Sequence, residues 1–122
     1  MTASPSELLA RADGLLAPSS GAAIGARHRA AAFLLRLALE EALRRYWSRT
    51  RPELNGCSPH VRSLCLEFYS GPGASGRWSA SWGVLSRACH YHSYGFAPSA
   101  AELRSWREEV AEVVQALSDS PS

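Results

Sequence analysis

The chain has 122 residues, 46% of them hydrophobic and 20% charged, with a formal net charge of +2. That length suits one domain and is enough to bury an apolar core without a disulfide or metal staple. The ordinary composition excludes general disorder, and the small net charge excludes a broad electrostatic demand for nucleic acid.

All 13 basic residues are arginine. Cys57, Cys65 and Cys89 are odd in number and show no paired spacing, unlike a secreted disulfide framework. The opening MTASPSELLARADG carries acidic residues and no long apolar stretch, so it does not read as a secretory leader. No run approaches the roughly 18 apolar residues a membrane helix needs. These features set the expectation of a cytoplasmic protein with no membrane contact.

The first helix is marked by Ser4, Pro5 and Glu7, a capping box with proline at the first helical position. Leu8, Leu9, Ala12, Leu15 and Leu16 follow at helical spacing, predicting a short leading helix over 5–17. A long helix is predicted over 22–49. There His28, Ala31, Ala32, Leu35, Ala38, Leu39, Ala42, Leu43 and Tyr46 share one arc, with Arg29, Arg36, Glu40 and Arg44 opposite. After a turn at Asn55-Gly56, Ser58-Pro59 opens a helix over 59–70, on which Val61, Leu64, Cys65, Phe68 and Tyr69 step at three and four. That apolar face suits a core position for Cys65.

The glycines at 71, 73 and 76 read as a linker. A helix is then predicted over 77–91, with Trp78, Trp82, Leu85 and Cys89 on one stripe. Ser99 and Glu102 form a second capping box before a helix over 100–118, striped by Leu103, Trp106, Val110, Val113, Val114 and Leu117. Residues 118–122 read as a frayed tail. The expectation is a single all-α domain, an up-and-down bundle of four to five helices.

Several patterns invite chemistry. Gly71-Pro72-Gly73-Ala74-Ser75-Gly76 matches a dinucleotide fingerprint by letter but lacks the strand that the motif requires. Cys89-His90-Tyr91-His92 suggests zinc, yet two histidines that far apart diverge by about 200° on a helix. With no C-x-x-C pair present either, neither a metal nor a cofactor is expected. Arg44, Arg45 and Arg49 interleave with Tyr46 and Trp47, a pattern able to grip RNA phosphate beside a stacked base. The competing reading turns Tyr46 inward and leaves the arginines to complement the helix dipole.

Arg87-Ala88-Cys89-His90-Tyr91-His92 is an Arg-x4-His motif where a helix runs out toward Tyr94, Gly95 and Pro98. Arg87 and His92 stand about 140° apart on a continuous helix, and a helix loosened near His90 lets them converge. The pair then combines a guanidinium for phosphate with an imidazole titrating near neutrality. With this motif, the long helix before it and the amphipathic helix after it, the chain resembles the HEPN superfamily over about residues 22–117.

The resemblance implies a homodimeric, metal-independent RNA endonuclease, with Arg87 and His92 catalytic and both copies lining one cleft. His90, His28 and Tyr94 are secondary candidates. Ala88 departs from the polar residue that nuclease-active members often carry after the arginine. The alternative is a non-catalytic helical module that binds a protein partner or RNA, in which the Trp78/Trp82 stripe serves as a contact surface.

Overall fold

The computed structural model describes residues 2–18, 23–90 and 97–119. Among the described residues five helices pack together: α1 (Pro5–Leu16), α2 (Ile24–Thr50), α3 (Pro59–Ser70), α4 (Pro72–His90) and α5 (Ala100–Asp119). A 3₁₀ turn, Pro52–Gly56, joins α2 to α3, and no strand occurs among the described residues. No described helix is long and apolar enough to cross a membrane.

The helix starts follow local chemistry. Ser4 Oγ accepts from the Glu7 amide at 3.1 Å, and Glu7 accepts from the Ser4 amide at 3.4 Å. Ser99 and Glu102 repeat this reciprocal pair at 3.1 Å in both directions. Ser58 accepts from the Val61 amide ahead of Pro59. Each such cap satisfies amides that have no partner inside the helix and contributes about 1 kcal/mol.

Helix α2 is the central post. It packs against α1, α4, α5 and the 3₁₀ turn. Ala31, Ala32 and Ala38 on it are fully buried, as are Leu35 and Leu39. Small side chains at those positions let the neighbouring helices approach closely, while the leucines fill the space between them. Leu103, Val110, Val113 and Leu117 of α5 close the core from one side, and Leu8, Leu9, Ala12 and Leu16 of α1 from another.

Two features depart from the sequence reading. Helix α4 begins at Pro72, not at Arg77, and the glycine-rich stretch forms its first turn instead of a linker. The joint is Gly71 alone, whose φ of +90° is open to glycine and strained for other residues. The Ser75 amide donates to the Gly71 carbonyl at 3.2 Å to start the helix. Burial of Ser75 and Trp78 extends the α4 stripe by a turn and outweighs the poor helix propensity of Gly73 and Gly76.

The second departure is α3. Leu66 is its one buried side chain, and Cys65 sits half-buried at the core edge. Val61, Leu64 and Phe68 face solvent at 39%, 60% and 84% exposure. The helix leans mainly on α4, also meets the 3₁₀ turn, and touches α2 through the Tyr69 ring against Trp47. Its apolar stripe therefore points away from the bundle.

Candidate functional site

Arg87 and His90 lie in the last turn of α4, and both are exposed. The Arg87 side chain runs back along the helix, its Nη1 3.6 Å from where a Cβ on Gly83 would stand. Arg87 makes no hydrogen bond or ion pair with any described residue. His92 and Tyr94 lie outside the described residues, so the spacing between Arg87 and His92 does not enter the geometry of the site.

A second arginine reaches this end from α2. Arg36 Nη1 is 3.5 Å from His90 Nε2, a long contact in which the guanidinium donates and the ring nitrogen accepts. Arg36 also stands over the Phe33 ring at 5.6 Å, and its Nε lies 3.4 Å from Glu40 Oε1. That last contact is an ion pair by distance, but Nε is buried without an aligned hydrogen bond. Glu40 in turn accepts from Trp82 Nε1 at 3.2 Å. The α4 end thus brings Arg36 to His90 in the turn that also carries Arg87, with Glu40 contacted by Arg36 and Trp82, and the negative end of the helix dipole favours cations there. Burial pushes the Cys89 thiol up, only partly opposed by Arg36, which keeps it protonated and unsuited to act as a nucleophile.

The other predicted residues fall elsewhere. His28, half-buried on α2, donates from Nδ1 to the Pro98 carbonyl at 3.0 Å and ties α2 to the segment before α5. Arg49 donates to the Leu117 carbonyl at 2.7 Å, which anchors the end of α5. Arg44 Nε donates to both Glu41 oxygens at 2.9 and 2.8 Å, and Arg45 adds a longer contact at 3.4 Å. Tyr46 and Trp47 are core residues at 2% and 0% exposure, so neither ring offers a stacking face for a base.

Glu41 is a nearly buried carboxylate, 9% exposed. The Arg44 hydrogen bonds hold its carboxyl below the usual range, against the opposing effect of burial, and the charges of Arg44 and Arg45 add to the lowering. A depressed folded value means this pairing stabilises the fold above the ordinary carboxylate range and stops doing so as pH falls through the folded value. Glu41→Gln should therefore be less stable than wild type at neutral pH, and the gap should narrow on acidification. Urea midpoints measured from pH 7 downward check this, and parallel curves for the two proteins would contradict it.

A cleft of about 710 Å³ lies between α2, α3, α4 and the start of α1. It lies where α3 stands off α2. Leu8, Leu37, Trp78 and Trp82 supply apolar walls, with Arg62 and His60 on the α3 side and Glu40 and Glu41 on the α2 side. Trp78 and Trp82 stack with planes 11° from parallel and centroids 6.1 Å apart. Trp78 Nε1 donates to the Leu39 carbonyl at 3.0 Å, which fixes the inner ring to α2.

Sequence reasoning passed over Arg36, Glu40, Arg62 and His60. The spacing of Arg36 and Glu40 does signal a helix-surface ion pair. Nothing in it signals that this flank of α2 meets the end of α4. Compared with family models, curated proteins and solved structures, the chain matches none.

Proposed function

We propose that this chain is an HEPN-like up-and-down bundle that handles RNA at the C-terminal end of α4 and cuts it without a metal, through Arg87 and His92 in a cleft between two copies. The observation that carries the reading is the exposed guanidinium of Arg87, with no hydrogen-bond or ion-pair partner among the described residues, in the same turn as His90, to which Arg36 is also drawn. A free guanidinium at such a position suits the fork-like binding of a phosphate.

In this reading Arg87 holds the scissile phosphate and stabilises its developing charge. The RNA 2′-oxygen forms a bond to phosphorus as the bond to the 5′-oxygen breaks, and His92 serves as general acid or base for one of the two proton transfers. The products are a 2′,3′-cyclic phosphate and a 5′-hydroxyl. The test is cleavage of an RNA oligonucleotide in EDTA by wild type, Arg87→Ala and His92→Ala, each checked for fold by circular dichroism. Wild-type cleavage lost in both folded variants is the expected result. An inactive wild type, or equal activity in all three proteins, removes the nuclease.

A second reading, a non-catalytic module that binds a protein partner, is favoured by the outward stripe on α3. Phe68 at 84% exposure beside Leu64 and Val61 is the kind of apolar patch that marks a contact surface. If a second copy covers it, light scattering should give a dimer mass for wild type and a monomer mass for Leu64→Ser/Phe68→Ser. A monomeric wild type turns the stripe toward a different protein and counts against a cleft shared by two copies.

A further inference from the structure

The cleft between α2 and α3 has a charge asymmetry that the α4 site does not use. Both carboxylates on its α2 side are already engaged. Glu41 is held by Arg44 and Arg45, and Glu40 by Trp82 and Arg36. On the α3 side the side chains of Arg62 and His60 have no hydrogen-bond or ion-pair partner among the described residues. Arg62 Nε is moreover buried with its hydrogen-bonding capacity unused. The Arg62 side chain also lines the cleft, so a ligand carboxylate there can pair with a guanidinium that has no acceptor among the described residues.

Between these two sides the walls are apolar: Leu8, Leu37, Trp78 and Trp82. The volume of about 710 Å³ lies within the range of small-molecule sites, which combine apolar walls with a few placed polar groups. We propose that the cleft binds an amphipathic organic acid, its apolar body against Leu37 and Trp82 and its carboxylate at Arg62. An anion is selected because the uncompensated charge facing the cleft is cationic. An apolar body is selected because the stacked indoles and leucines have no hydrogen bonds left to offer beyond those already made to Leu39 and Glu40. The cleft shares Glu40 and Trp82 with the α4 end but requires neither Arg87 nor His92.

The test uses the full chain and dodecanoate below its micellar concentration, at a pH where the acid is ionised. Binding is followed by calorimetry and by tryptophan emission. Dodecyltrimethylammonium serves as a matched cation. The expected result is saturable one-to-one binding of dodecanoate, at least about tenfold weaker binding of the cation, and at least about tenfold weaker dodecanoate binding to Arg62→Glu. Phe68→Ser, on the outward face of α3, should bind like wild type. The proposal is overturned by absence of saturable binding, by equal affinity for the two amphiphiles, or by unchanged affinity in a folded Arg62→Glu. Loss of binding in Phe68→Ser also overturns it, because the ligand would then sit on the outer stripe.

Discussion

Under the proposed function, Arg87→Ala is expected to slow metal-independent RNA cleavage by about 100- to 1,000-fold, the usual effect of removing one preorganised donor to a developing charge. The same change should leave the urea midpoint where it is. Arg87 is exposed, forms no ion pair with any described residue, and lies over Gly83, which has no side chain to lose a contact. Surface changes of that kind usually alter stability by less than about 0.5 kcal/mol. Arg87→Lys separates charge from geometry: it keeps the cation and loses the planar fork, so its activity should fall between the two. A structural role would give the opposite pattern, with stability lost and no separate loss of turnover. Activity equal to wild type in Arg87→Ala would detach the motif from the chemistry.

Trp47→Ala should have the reverse profile, destabilising the fold by about 3–5 kcal/mol. Trp47 is fully buried near the C-terminal end of α2. It meets Tyr46 edge-on at 4.9 Å and Tyr69 at 5.4 Å, so it links the central helix to α3. A loss of that size is a large share of the 5–15 kcal/mol typical of a whole domain. Trp47→Phe tests the cause. The indole Nε1 is buried without a partner, so phenylalanine removes an unsatisfied donor while keeping most of the apolar contact. It should recover most of what alanine loses. Urea unfolding of the three proteins measures both effects, and an alanine variant within about 1 kcal/mol of wild type would show that the cavity collapses freely.

These two positions show how the molecule divides its work. The α2 core and the helices packed on it are filled by apolar side chains, and most of the arginines spend their charge on internal partners. Arg77 pairs with Glu109 and Glu112, and Arg107 makes a two-pronged contact with Asp13. The side chains of Arg11, Arg29, Arg62 and Arg87 depart from that pattern, with no hydrogen-bond or ion-pair partner among the described residues; Arg62 lines the cleft beside α3, and Arg87 is exposed at the end of α4.

The helices themselves were legible from the residues. Ser4-Pro5 with Glu7, Ser58-Pro59, and Ser99 with Glu102 specify helix starts through bonds within a few residues, so the information is local and stays with the chain. The stripes of α1, α2 and α5 likewise match the buried positions, because each of these helices has one apolar face and one direction in which to hide it. Outside that reach lay everything that depends on where a neighbouring helix stands. Gly73 and Gly76 argue for a linker by propensity, and only the packing of Ser75 and Trp78 makes that stretch helical. The α3 stripe has the spacing of a core face, yet its backbone leans on α4 and points the stripe outward. The meeting of Arg36 with His90 joins residues far apart in the chain. Periodicity describes one helix at a time, whereas the partner of each face is chosen by the packing of all five together.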